Sequence, residues 1–396
     1  MPDVIVPVTF ARQETLFYCG PATAQMVLGA LAVPSPVVPP TWQDQLWTFV
    51  TNNTGATRPP TAPSTDDAPA FPQQKCERCG GWECWSTTPG VLQQMLNTMQ
   101  SVATYSITTH QIEEDATAVL LDTLDAGFPG VALVYGWQHW VVVDGYRHSP
   151  HAQTTVGGRR LSGMYIRDPQ ASSRRHYIRW SRWRDDYLSF VGCGTYQDKF
   201  VVMPAVRAGL PPPLPPPSPV VETSSGIVTE EANMLKPLLT TDVVMRSAIT
   251  AVVELEDSTF DVAMRSALPT QATLVQQINK EDAFYYIVSF ERGGRLTMQA
   301  MIDAFDGTLL ETEGVEEEED ALPRSVDAME ALRDLKVPDW FMHREGLIGQ
   351  HPVLVWKPCR QSKSPFLPFY QFSIGNRFVY LRVDGELFDA LTTGPV

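Results

Sequence analysis

The segment Gln13-Glu14-Thr15-Leu16-Phe17-Tyr18-Cys19-Gly20-Pro21-Ala22 is the most informative stretch of the chain. Pro21 is favoured in the first turn of a helix, where its missing N–H costs nothing, so a helix boundary falls at Cys19 or Gly20. From Pro21 to Leu31 the residues are apolar on almost every side, which predicts a buried central helix. A thiol at such a boundary faces unpaired backbone amides and the positive end of the helix dipole, an environment that favours thiolate over thiol. The competing reading is a small, inert, buried cysteine. The rest of the chain decides between them.

A thiolate nucleophile needs a group that takes and returns a proton, usually histidine. His139 opens the apolar run His139-Trp140-Val141-Val142-Val143-Asp144-Gly145-Tyr146, so it sits at the lip of a buried strand after a Gly136-Trp137 turn. His148, His151 and His176 lie in polar or Arg-rich surroundings, and nothing near His110 orients it. The imidazole in turn needs a partner that fixes its tautomer. Asp144 follows on the same strand, where alternation points it to the opposite face. Asp168 ends the predicted strand Gly163 to Arg167 and precedes Pro169, which places a carboxylate beside a neighbouring strand, and it is the preferred candidate. Helices are predicted at Gly90 to Gln100 and Glu113 to Ala126, and further strands at Val131 to Tyr135, His139 to Val143 and Lys199 to Met203.

Gln13 six residues before Cys19, the Gly-Pro-Ala helix start, the His-Trp-Val-Val-Val-Asp-Gly-Tyr strand and the later Asp-Pro together resemble the papain-like cysteine peptidases. The resemblance is to those that remove double-glycine leaders from bacteriocins, and to their stand-alone bacterial relatives. It covers about residues 8–205. It implies a central helix packed on an antiparallel sheet, with Cys19 as nucleophile, His139 as general base and acid, and Asp168 as the orienting residue. It also implies that the Gln13 side chain and the Cys19 backbone amide donate to the oxyanion; losing one such donor costs ~2.7–4 kcal/mol in a serine peptidase. Two features depart from the leader-processing members. Those are usually fused to a transporter, whereas no stretch here approaches the ~20 apolar residues of a membrane helix. The segment of about 33–89 is also an atypical insertion, in which Trp42, Leu46, Trp47 and Val50 suggest one short helix.

The whole chain is 396 residues with a formal charge of −15, of which −3 falls in residues 1–206 and −12 in the remainder. An acidic chain is a poor candidate for generic nucleic-acid or anionic-membrane binding. Leu210 to Pro219 holds seven prolines in ten residues, a stiff spacer that neither helix nor central strand accommodates. The predicted organisation is therefore a peptidase domain over 1–206, a proline-rich linker over 207–220 and a second domain over 221–396. A fragment ending near Val206 is expected to fold by itself.

The second domain carries a repeated grammar of strand, glycine turn, strand and Asp-Gly turn. It runs Phe284 to Phe290, Gly293-Gly294, Leu296 to Ala304, then Phe369 to Ile374, Gly375-Asn376, Phe378 to Val383. Helical sequence precedes each unit, at Asp242 to Glu254 and Val326 to Leu335, giving an α+β domain of two helix-plus-hairpin repeats. These units weakly resemble PepSY-like modules, which implies inhibition or partner binding. The acidic run Glu316 to Asp320 reads as a solvated loop.

Six cysteines are too few for a disulfide framework. Cys76, Cys79 and Cys84 have the spacing of a partial zinc site, with Cys193 as a conceivable fourth ligand, or are free or redox-paired thiols. No cofactor is required by the chemistry itself. Met1 to Phe10 lacks the features of a secretory signal, so a cytoplasmic location is expected, with signal-independent export left open. The basic and aromatic run Arg174 to Arg184 could meet nucleic acid, dock on the acidic second domain, line the cleft or simply form one wet and one packed face. A cysteine peptidase or isopeptidase with a peptide or protein substrate is the leading expectation. A transpeptidase or acyltransferase using the same triad, and a non-catalytic interaction protein, are its rivals.

Overall fold

The computed structural model describes residues 3–14, 18–31, 42–53, 74–75, 82–83, 87–135, 139–149, 152, 154–170, 175–191, 196–208, 237–255, 267–314, 352–359, 361–362, 364–374 and 377–391. After a short strand β1 (Val4–Ile5) the chain enters α1 (Cys19–Leu31), which begins two residues earlier than Pro21 because the Tyr18 carbonyl accepts from Ala22 N–H at 2.8 Å. The helix α2 (Trp42–Asn53) buries Leu46 and Val50 in the core that α1 shares. Two minimal strands, β2 (Gln74–Lys75) and β3 (Trp82–Glu83), pair with each other. Next comes α3 (Pro89–Met99), capped by Thr88, whose hydroxyl accepts from Val91 N–H at 3.3 Å.

The remainder of the first half supplies a sheet and one covering helix. Its elements are β4 (Ala103–Tyr105), β5 (Thr108–His110), α4 (Glu113–Asp125), β6 (Gly130–Val134), β7 (His139–His148), β8 (Thr155–Val156), β9 (Arg159–Arg167) and β10 (His176–Arg179). The short helix α5 (Trp180–Arg182) widens into a π-turn over Trp183–Tyr187, and β11 (Phe200–Met203) and β12 (Ala205–Arg207) follow. Strands β6 and β7 are buried from end to end over Gly130–Val134 and His139–Tyr146, as their unbroken runs of β-branched residues require. The central helix is tied to this sheet where the Thr23 hydroxyl donates to the Trp140 carbonyl at 3.1 Å.

The second half contributes α6 (Thr241–Leu255), β13 (Leu268–Gln277), β14 (Phe284–Arg292), β15 (Arg295–Asp303), β16 (Leu309–Gly314), β17 (Val353–Trp356), β18 (Phe369–Ile374), β19 (Arg377–Arg382) and β20 (Leu387–Phe388). The expected hairpins are present, and Gly293, Gly294, Gly307 and Gly385 all have positive φ at the turns. Three strands that sequence reading missed change the architecture. Strands β13 and β16 flank the first hairpin to make a four-stranded meander, and β17 lies parallel to β13 to link it with the second hairpin. Helix α6 packs on the meander through Val244, Ala248 and Val252. The helix expected over Val326 to Leu335, the acidic run Glu316 to Asp320, the Gly375-Asn376 turn and the proline-rich spacer lie outside the described residues.

The larger departure concerns the boundary between the halves. Strand β16 pairs antiparallel with β10, His176 opposite Glu313 and Ile178 opposite Glu311. One continuous sheet therefore runs in the order β20-β19-β18-β17-β13-β14-β15-β16-β10-β9-β7-β6-β11-β5. Sequence reading assigned the halves separate sheets because the pairing joins segments more than 100 residues apart, and no local pattern reports it.

Candidate active site

Cys19 occupies the first position of α1 and is buried, 7% exposed. The helix start is wedged against Thr87. A Cβ on Gly20 would stand 2.3 Å from the Thr87 hydroxyl oxygen, and Thr87 is itself held because Trp140 Nε1 donates to its carbonyl at 2.9 Å. Only glycine fits directly after the cysteine. Gly20→Ala is expected to destabilise the fold by about 1–3 kcal/mol, the usual range for overpacking. Thermal unfolding of the variant checks this, and an unchanged midpoint would show that Thr87 yields freely.

Strand β7 delivers His139 to the same place. Its Nε2 lies 2.6 Å from Oδ1 of Asp168, and both side chains are almost fully buried. Asp168 follows the last residue of β9, where the chain leaves the ladder at Pro169, and its Oδ1 also accepts from Gln170 N–H at 2.8 Å. Because a carboxylate only accepts, Nε2 carries the proton and Nδ1 is the ring atom left for exchange with sulfur. The Cys19 side chain interacts with this same ring. Burial alone would lower the His139 pKa, but the charge and hydrogen bond of Asp168, with a contribution from Cys19, push it up to about 10. Burial works in the opposite sense on Asp168, and His139, His176 and the Gln170 amide outweigh it to hold the carboxyl below its ordinary range.

The signs give a pH window. Asp168, depressed in the folded state, contributes stability that is present above its unfolded pKa of about 4 and is lost as pH falls through the native value. His139, raised, contributes stability that is complete below its unfolded pKa of about 6.5 and is lost as pH rises towards 10. The pair therefore supports the fold most fully between about pH 4 and 6.5. In Asp168→Asn the carboxylate charge disappears while the burial remains, so His139 is expected to titrate below its ordinary 6.5. Turnover should fall, less than on loss of Cys19. An NMR titration of the imidazole checks the first expectation, and an unshifted curve would assign its orientation to another group.

Asp144 stands elsewhere. It is the extra residue of a bulge between β7 and β9, fully buried, and accepts from Arg167 Nε at 2.6 Å and from Arg175 Nε and Nη2 at 3.0 and 2.9 Å. His110 is on β5 at the far end of the first half's sheet, separated from β7 by β11 and β6. Gln13 is brought towards the centre by its backbone, whose N–H donates to the Pro169 carbonyl at 2.9 Å. His151, Cys76, Cys79, Cys84, Cys193 and the Gly136-Trp137 turn lie outside the described residues.

Three contributors carried no signal in the sequence. Gln43 on α2 clamps the segment around Gln13: its Nε2 donates to the Arg12 carbonyl at 2.7 Å and its Oε1 accepts from Glu14 N–H at 3.0 Å. Thr87 fixes the start of α1. Tyr135, with φ of 54° at the end of β6, presents its ring to His139 with centroids 6.4 Å apart. A non-glycine residue in that region is uncommon and marks a site where the fold imposes a conformation. His176, which its Arg-rich neighbours suggested was in polar surroundings, is instead 2% exposed. Of the basic run, Arg182 is buried between Glu311 and Asp186, Arg175 is bound to Asp144 and Arg184 pairs with Asp185.

A thiol at a helix N-terminus, an imidazole that interacts with it and a buried carboxylate on the far ring nitrogen form a constellation suited to nucleophilic attack on a carbonyl. A model of the Peptidase_C39 like family matches residues 5–194. No match was found among curated proteins or among solved structures. The C39-like region contains Cys19, His139 and Asp168 and stops short of the second half. It supports a C39-type cysteine peptidase, with a peptide as substrate. Among the described residues, no helix is long and apolar enough to cross a membrane.

Proposed function

We propose that this protein cleaves peptide or amide bonds through an acyl-thioester on Cys19. The observation that carries the reading is the 2.6 Å contact between His139 Nε2 and Asp168 Oδ1, which leaves Nδ1 for the thiol. The thiol proton passes to His139, whose raised pKa of about 10 holds it there as imidazolium, and sulfur attacks the carbonyl carbon while the carbonyl electron pair moves onto oxygen. On collapse of the intermediate the C–N bond breaks, and His139 returns the proton to the leaving amine. Asp168 holds the tautomer and offsets the imidazolium charge. The side-chain amide of Gln13 and the backbone N–H of Cys19 are the proposed oxyanion donors, and the clamp from Gln43 supports the placement of the former. Water then attacks the acyl-enzyme, and His139 serves as base a second time. In this reading the second half is an accessory module with PepSY-like units, whose two hairpins would offer a binding surface.

Peptide-library turnover by the full chain, with Cys19→Ala as control, tests the proposal. Cleavage of defined bonds that is lost in the control is the expected result. Cleavage that persists in Cys19→Ala, or an intact library, would overturn it.

A further inference from the structure

Strand β16 carries two carboxylates, Glu311 and Glu313, that are 0% and 1% exposed. Burying a carboxylate costs several kcal/mol even after the protein relaxes, and well-packed apolar residues at such positions are often as stable. Their surroundings explain what the charge secures. Glu311 Oε2 accepts from Arg182 Nε at 2.9 Å, and Oε1 accepts from the Tyr187 hydroxyl at 2.6 Å. The same Oε1 stands 3.5 Å from Nδ1 of His176. Arg182 also pairs with Asp186 at 2.8 Å, a carboxylate that Lys280 contacts as well.

Two routes lead from Glu311 to the candidate centre in the other half. His176 is buried beside it on the paired strand β10 and interacts electrostatically with Asp168. The Tyr187 carbonyl accepts from Tyr135 N–H at 2.9 Å, and the two rings lie 4.8 Å apart. Tyr135 in turn stacks towards His139 at 23° between planes. The His139 end of the pair thus rests, through Tyr135 and Tyr187, on a carboxylate from the second half.

We propose that Glu311 is a positioning residue for the Cys19–His139–Asp168 centre, so that the second half completes the active site of the first. The inference rests on the peptidase reading above. It assigns the second half a supporting role in turnover, where its acidity and PepSY-like units suggested docking with inhibition or partner binding.

The test uses the full chain with four changes. Glu311→Gln keeps shape and removes charge, and Tyr187→Phe removes only the hydroxyl that Glu311 accepts from. Tyr286→Phe is the control, because it loses a comparable hydrogen bond, 3.0 Å to the Leu239 carbonyl, in the core beneath α6. Cys19→Ala reports whether turnover belongs to the proposed nucleophile at all. Glu311→Gln is expected to lower kcat about ten- to a hundredfold, the range for small misplacements of a catalytic group, with KM little changed. Tyr187→Phe should lower kcat in the same sense by a smaller factor, and it carries the test by itself if Glu311→Gln does not fold. Tyr286→Phe should leave both constants at wild-type values. Loss in Glu311→Gln or Tyr187→Phe that appears wholly in KM, or kcat equal to that of the control, overturns the inference while leaving the peptidase reading intact. Turnover that survives in Cys19→Ala overturns both.

Discussion

Cys19→Ala is expected to abolish turnover, a loss on the order of 10⁶-fold for a triad that acts as a unit, and to leave the fold in place. The change removes one sulfur from the first position of α1, where the Tyr18 carbonyl still closes the first turn and Gly20 still meets Thr87. His139→Ala should be comparably severe, because the sulfur without a proton acceptor has no route to the thiolate in the transition state and the leaving amine has no donor. The double variant should be no slower than either single one. A rate for the double variant near the product of the two single losses would mean that the side chains act independently, which contradicts the coupling drawn from their shared ring. Steady-state turnover of one peptide by the three variants, with circular dichroism as the check on folding, reads the result.

Removing the second half gives the next largest effect, and in the direction opposite to the one that the proline-rich spacer suggested. A fragment ending near residue 208 loses β16, which exposes the ladder groups of β10 along a newly made edge, a recognised template for aggregation. It also uncovers Tyr187 and Arg182, the latter now packed under Trp356 with the guanidinium 5.4 Å from the ring centroid. Tyr165 and Tyr177, covered by Leu255, lose that cover too. We expect the fragment to aggregate, or to remain in solution with turnover at least about tenfold below the full chain, since Tyr135 loses the support that the second half gives it. Activity and thermal unfolding of fragment and full chain, side by side, decide it. A soluble fragment as active as the intact protein would restore the picture of independent halves, and one more active would make the second half a restraint.

What could be read in the sequence follows the range of the interactions involved. The start of α1, the buried runs of β6 and β7 and the glycine turns of the second half are local events, and Pro21, the valines of 141–143 and the Gly-Gly and Asp-Gly pairs signal them directly. The contact of His139 with Asp168 rather than Asp144 was also within reach, because strand alternation separates Asp144 from His139; the bulge that houses Asp144 was not. Strands β13 and β16 were missed for a physical reason. Their Gln, Thr and Glu residues break the apolar pattern, and the partners that make Glu311 and Glu313 tolerable inside the protein, Arg182, Tyr187 and Ser364, come from distant segments. For the same reason Gln43, Thr87 and Tyr135 gave no signal: each matters through contacts with other elements, not through any pattern in its own.

The most direct test of the central claim is the rate at which a small alkylating reagent modifies Cys19 in the intact protein, followed by peptide mapping. Cys359, buried with its thiol pKa raised chiefly by desolvation, serves as the internal reference. The account predicts rapid modification of Cys19 near neutral pH, far faster than that of Cys359 and slowed at least about tenfold in His139→Ala because the sulfur loses the imidazole that takes its proton. Modification of Cys19 no faster than that of Cys359, at a rate indifferent to His139, would contradict it.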